Sequence, residues 1–192
     1  YSFDGSDDYI DPGFAFLGTI VFNLWFYWDS SDTDIHNFIG NRESGSYNFN
    51  SRRFGIRDGE YQLACYNTNA GSTGILSSLG NSVAPKSDQT WIHAVGIIKD
   101  NGDGTADFII DEDGVEVVSV TDDLYETDRY SFYIGAQNQE ESPTRFFNGD
   151  LDNFFVYNAF LSSDEKTALY DATKSSPELF DQEIGSGFAT IS

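Results

Sequence analysis

Apolar residues along the chain fall in short runs, some continuous and some alternating with polar residues, separated throughout by Gly, Asn and Asp. Alternation with period two marks a half-buried strand, so the pattern predicts a mainly β protein. The clearest unit covers residues 52–66. Here Arg53-Phe54-Gly55-Ile56-Arg57 and Glu60-Tyr61-Gln62-Leu63-Ala64-Cys65 flank Asp58-Gly59, a pair suited to a type I′ hairpin turn because both positions tolerate positive φ. A three-stranded meander follows at 91–98, 105–110 and 115–120, turned by Lys99-Asp100-Asn101-Gly102-Asp103-Gly104 and by Asp113-Gly114. Further strands are predicted at 19–28, 35–39, 131–135 and 151–157. The first of these, Ile20-Val21-Phe22-Asn23-Leu24-Trp25-Phe26-Tyr27-Trp28, is apolar on both faces, as expected of a central strand whose outer face is also covered, by loops or ligand. One helix is predicted at 163–173. Ser162 and Glu165 form a capping box ahead of it, and Ala168, Leu169 and Ala172 make a small apolar stripe.

Composition sharpens the picture. A chain of 192 residues is one domain with room for a sizeable core. Acidic residues number 32 against 10 Lys plus Arg, for a net charge of -22, and that field repels nucleic acid and anionic membranes as partners. Aromatic residues make up 16% of the chain, which separates it from acidic disordered tails. Cys65 is the single cysteine, so no internal disulfide forms, and it reads as a small buried apolar residue. No apolar run reaches the length a membrane helix needs. The chain has no Met, so Tyr1 is expected to follow a processing site or an excerpt boundary, with targeting information lost.

Several segments, in order, resemble the laminin-G-like and pentraxin-like members of the concanavalin A-like lectin/glucanase superfamily. Phe3-Asp4-Gly5-Ser6-Asp7-Asp8-Tyr9-Ile10 resembles the opening strand, and Asn23-Leu24-Trp25-Phe26 the first long strand. Trp91-Ile92-His93-Ala94-Val95 resembles the Trp-x-His strand, with Ile110-Asp111 and Asp113-Gly114 resembling the hairpin after it. Phe147-Asn148-Gly149-Asp150-Leu151-Asp152 and Tyr157-Asn158-Ala159-Phe160-Leu161-Ser162 are similar to the closing strand and the approach to the terminal helix. Glu112 in the hairpin, and Asn153 followed by Phe154-Phe155, depart from that pattern. The resemblance covers about residues 1–172 and implies a two-sheet sandwich that binds glycans or proteins, often extracellular and often holding calcium.

The same superfamily holds glucanases, whose chemistry needs two or three carboxylates facing one sugar at about 5–5.5 Å in the retaining case. Asp111-Glu112-Asp113 is interrupted by a turn, and Asp150-Leu151-Asp152 offers two carboxylates without a third. His36 and His93 sit among apolar neighbours and read as packing residues. Calcium is the more plausible chemistry, because a hard cation wants six to eight oxygens. Asp4 and Asp7, beside Asp8 and Asp11, are candidate ligands, joined by Asp152 if the first and last strands are neighbours. The acidic stretch 100–128, without Lys or Arg, reads as a solvated edge. For sugar binding, which needs rings for the apolar sugar face and polar groups for its hydroxyls, the candidates are Tyr47, Asn48, Arg52, Arg57, Tyr61 and Gln62. Arg42 and Arg53 complete a basic island there, fit for an acidic sugar, a partner subunit or plain ion pairing with Glu60.

Taken together, the expected fold is all-β, a two-sheet antiparallel jelly-roll sandwich of concanavalin A type with one short C-terminal helix. Residues 1–174 form the domain and 175–192 a tail or docking segment. The expected function is a non-catalytic carbohydrate-binding or adhesion module, calcium-linked, on a cell surface or virion surface, with a glycan or polysaccharide as partner. The alternative is a structural assembly protein, such as a phage capsid decoration or fibre subunit, whose partners are protein subunits of a larger assembly. A glycoside hydrolase ranks third. Neither nucleic acid nor membrane insertion is expected.

Overall fold

The computed structural model describes residues 1–15, 17–28, 35–42, 50–67, 71–86, 89–125 and 131–174. The predicted tail at 175–192 lies outside them. Strands are numbered along the chain. One sheet has the order β1 (Ser2–Asp4), β13 (Asn148–Tyr157), β2 (Ile20–Trp28), β7 (Ile92–Asp100), β8 (Thr105–Glu112) and β9 (Val115–Asp123). The other runs β12 (Ser142–Thr144), β11 (Gln137–Gln139), β3 (Ile35–Arg42), β4 (Asn50–Arg57), β5 (Glu60–Asn67) and β6 (Gly71–Ile75), with β10 (Tyr133–Ile134) also paired to β3. This is the expected two-sheet sandwich, with one difference. β11 runs parallel to β3, so the second sheet is mixed.

The hairpin and the meander form where turn chemistry calls for them. Asp58 and Gly59 have φ of 53° and 75°, and Asp113 and Gly114 have φ of 49° and 80°, the left-handed pair a type I′ turn requires. Pairing then follows the turn, Arg57 opposite Glu60 and Glu112 opposite Val115. β2 sits inside its sheet between β13 and β7. The short strands β6, β11 and β12 escaped the sequence pattern because none is long enough to show alternation.

Alternation sends Phe22, Leu24 and Phe26 of β2, with Phe54, Ile56, Tyr61 and Leu63 of the facing sheet, into one buried core. Rings fill the space between the sheets. Phe38 meets Phe26 at 4.6 Å, Phe54 at 5.3 Å and Phe147 at 5.2 Å between centroids, the last two edge to face. Such edge contacts add about 0.5–1.5 kcal/mol each beyond area burial. Cys65 is buried there too, as expected.

The outer face of β2 is covered by the helix α1 (Ser163–Thr173), which keeps the predicted capping box of Ser162 and Glu165. Its anchor is not the apolar stripe: Ala168 and Ala172 are exposed, whereas Lys166 is buried and its Nζ lies 2.7 Å from Asp111 Oδ2. The Trp25 ring stacks on Tyr170 at 5.9 Å, and its Nε1 donates to Thr173 Oγ1 at 2.9 Å. Beneath the helix, His93 Nε2 bonds Asn23 Oδ1 at 2.9 Å, and Asn23 Nδ2 donates to Asn153 O at 3.3 Å. The His93 Nδ1 is buried without a partner. Burial pulls the His93 pKa from 6.5 to about 4, because the fully buried ring is kept neutral.

Two expectations follow. Because His93 binds a proton at higher pH when unfolded, its contribution to stability is complete above about pH 6.5 and is lost as pH falls toward 4, about 3 kcal/mol in all. Thermal melts of H93Q should be flatter over that window than those of the natural protein, and parallel curves would refute the assignment. Gly135 has φ of 77° and its missing Cβ would lie inside the Phe3 ring, so Gly135→Ala should cost about 2–4 kcal/mol from left-handed strain and overpacking, read as a lowered melting temperature.

Candidate functional site

The structure separates the residues the sequence grouped for sugar binding. Tyr47 and Asn48 lie outside the described residues. Arg52 is 0% exposed, because even positions of β4 point inward with Phe54 and Ile56. Its backbone N–H donates to Asn41 Oδ1 at 2.9 Å and its Nη1 to Gly18 O at 3.2 Å. Tyr61 is also 0% exposed; its hydroxyl donates to Glu112 Oε2 at 2.9 Å, and both burial and that carboxylate hold its pKa well above the ordinary phenol value. Gln62 is buried, on the other face of β5. Arg57 alone of the four reaches the surface, where its Nε lies 3.2 Å from the neighbouring Asp58 rather than against Glu60. Among the described residues the basic island is therefore split between core and surface.

The candidate cation ligands are also apart. β1 does pair with β13, but the register sets Asp4 opposite Asn148 and Ser2 opposite Asp150. Asp152 is four residues beyond Asn148, about 13 Å along the strand. Asp4 Oδ1 accepts from Ser6 N, Asp8 Oδ2 accepts from Asp4 N, Asp7 is exposed, and Asp152 Oδ1 accepts from Asn153 N. Among the described residues no three His, Cys, Asp or Glu side chains converge where they could hold a metal ion. Asp4, Asp7 and Asp152 thus do not fit one calcium cage.

The acidic stretch of the meander is dispersed by strand alternation. Asp111 faces outward to Lys166, Glu112 inward to Tyr61 and the Lys86 N–H, and Asp113 pairs with Lys86 Nζ while accepting from His93 N at 3.0 Å. Burial pushes the Asp111 carboxyl up, with Lys166 pulling it back down. These carboxylates face three different environments.

A different edge gathers groups that can bind a ligand. Ile10 and Ile134 exchange both backbone hydrogen bonds at 2.9 Å. One residue to either side, Asp11 is brought opposite Tyr133, and alternation puts Tyr9 on the same face. Tyr133 is fixed by its neighbours, since Phe132 packs in the core against Phe22 at 5.8 Å and Ile134 packs on the core's rim. The rings of Tyr9 and Tyr133 lie 4.6 Å apart at 30°, and Tyr9 is 41% exposed. Ser131 Oγ donates to Asp11 Oδ1 at 3.4 Å, Asn138 Nδ2 donates to Ser131 O at 2.9 Å, and Glu141 N donates to Asn138 Oδ1 at 2.7 Å. Burial, then Asp11, Tyr9 and Glu141, raise the Tyr133 phenol above its ordinary pKa. Glu140 and Glu141, the two turn residues between β11 and β12, have φ of 53° and 65°. Turns of this kind favour Asn-Gly, and the left-handed strain of about 1–3 kcal/mol per residue is tolerated where the surroundings hold the chain in place. The groups of this edge come from sequence positions more than a hundred residues apart, so no local motif announces them.

A second surface feature flanks α1. A groove of about 310 Å³ is lined by Tyr157, Leu161, Glu165, Ala168 and Leu169, and Phe155 and Phe160 near it are 46% and 45% exposed.

The fold places the chain among known proteins. It superposes on the receptor binding domain of botulinum neurotoxin D with a TM-score of 0.54 at 14% identity, over 84% of this chain and 39% of that one. Domains LG4-5 of the mouse laminin alpha1 chain give a TM-score of 0.55 at 17% identity, over 81% and 40%. The CBM40 of the Ruminococcus gnavus IT-sialidase, bound to alpha2,3 sialyllactose, gives 0.56 at 12% identity, over 80% and 83%. At these identities the likeness is one of fold, and the chain spans about two fifths of the length of the first two. No curated protein matches it. Residues 4–165 match the laminin G family model described as concanavalin A-like lectin/glucanases superfamily, and the chain belongs to that superfamily.

Proposed function

We propose that the chain is a non-catalytic carbohydrate-binding module of an extracellular or surface-displayed protein, and that the Tyr9 edge is its sugar-contacting surface. The observation that carries this is the half-exposed Tyr9 ring stacked on Tyr133. A ring braced from behind presents a flat apolar face at low entropic cost, which suits the apolar face of a pyranose, while the exposed carboxylates of Asp11 and Glu141 accept hydrogen bonds from its hydroxyls. Each such bond contributes about 0.5–1.5 kcal/mol net, so affinity for one sugar unit is modest and repeated units on a polymer raise it. The toxin receptor binding domain and the sialyllactose-bound CBM40 with the same fold support the reading. Calcium linkage is carried by the family resemblance of the sequence alone, without a shared cage of Asp4, Asp7 and Asp152.

The apolar surface of Phe155, Phe160 and the α1 groove favours the assembly protein as a second reading, since exposed apolar patches mark protein contacts.

A glycan and polysaccharide array, run in calcium and again in EDTA with the natural protein and Tyr9→Ala, separates these readings. Binding should appear and fall at least about tenfold in Y9A, a loss of about 1.4 kcal/mol, at an unchanged melting temperature. Signal lost in EDTA would assign a cation to recognition, and equal signal would leave it to the protein's own groups. A blank array together with self-association in light scattering would replace the lectin by the assembly protein.

A further inference from the structure

Resting on that reading, we infer that the Tyr9 edge selects sugars bearing a protonated amine, such as 2-amino-2-deoxyhexoses with a free amino group, over N-acetylated, sulfated or sialylated ones. The chain carries a net charge of -22, a field that depletes anionic glycans near any of its surfaces and concentrates cationic ones. Three of the six arginines are engaged within the protein. Arg52 is inside the core, Arg57 lies against Asp58, and Arg145, on the same hairpin as Glu141, donates from Nη1 at 2.9 Å to Gln137 Oε1, which is itself fully buried. The groups that act on the Tyr133 phenol are Asp11, Tyr9 and Glu141, two carboxylates and a second phenol.

The geometry suits an ammonium group on a sugar ring. Asp11 lies directly across the Ile10 and Ile134 bridge from Tyr133, and Glu141 is tied to the same cluster through Asn138 and Ser131. A pyranose stacked on Tyr9 therefore has carboxylate at its rim, where a ring substituent sits. An ammonium there gains from the carboxylates, whereas a carboxylate or sulfate meets like charge. An acetamido group is neutral and loses the ionic part while keeping the stacking. Both carboxylates are solvent-exposed, so the gain is moderate and screened by salt, about tenfold in affinity at low ionic strength and falling toward parity near 1 M.

Titration calorimetry with chitosan oligosaccharides, their N-acetylated counterparts of equal length and sialyllactose, at mildly acidic pH and at low and high salt, tests this. The amine series should bind about tenfold tighter than the acetylated series, and the advantage should shrink with salt. It should vanish in the double variant Asp11→Asn, Glu141→Gln, read as the ratio of amine to acetylated affinity within that variant, since Asn and Gln keep the shape and an accepting oxygen but not the charge. Equal affinity for amine and acetylated series, tighter binding of sialyllactose, or an amine advantage that survives in the double variant would overturn the selectivity while leaving the Tyr9 edge a sugar site. Binding of none of the three would overturn the site and the selectivity together.

Discussion

Everything positioned on this protein's surface depends on how aromatic rings fill the gap between two sheets. Phe22 and Phe26 from one sheet and Phe38 and Phe54 from the other interlock, with Phe132 and Phe147 closing the two ends. Each buried ring contributes about 1.5–3 kcal/mol by leaving water, and their rigid planes allow few alternative packings. The ligand edge inherits that rigidity. Phe132 is a core ring and Tyr133 is the next residue, so the plane that braces Tyr9 is set by the core's own geometry. Gly135 bends the chain past the Phe3 ring, and its carbonyl accepts from Phe147 N at 2.8 Å, which ties the first strand, the last strand and the site into one packed unit.

The opposite surface shows a different solution. The helix packs over β2 on a partly polar interface: Lys166 with Asp111, His93 with Asn23, and the indole of Trp25 with Thr173. A buried ion pair adds little net stability against an apolar alternative of the same shape, but it penalises any register that leaves either charge alone. The helix is thus fixed in position more than it is stabilised. A small apolar patch of Val21, Val95, Ile97 and Ile109, joined by Leu161 and Tyr157, supplies the hydrophobic part of the contact.

Charge links these features to recognition. On so acidic a chain Arg52, at the centre of the basic island, is held in the core. The edge proposed for sugar binding is aromatic and carboxylate-bearing, and the inferred preference for neutral and cationic sugars rests on that chemistry. The superfamily's fold hosts ligands of many kinds, and the side chains at one edge of the sheet decide among them.

The sequence by itself determined the strands that are long enough to alternate, the Asp-Gly turns that reverse them and the capped helix, because these rest on local chemistry: φ preferences, period-two burial and capping hydrogen bonds, while the two-sheet architecture came through the family resemblance. It also carried the fold family through Phe3, Trp25, Trp91 and Asp113-Gly114. Only the tertiary structure decided which face each side chain takes. Arg52 looked like a surface cation and is interior because the phase of β4 is locked by Phe54 and Ile56. Asp4 and Asp152 sit on adjacent strands, yet register keeps them apart. Tyr9 and Asp11 converge with Tyr133, Asn138 and Glu141 although more than a hundred residues separate the two groups. Register and convergence are set by packing summed over the whole sandwich, a quantity that no short window of sequence contains.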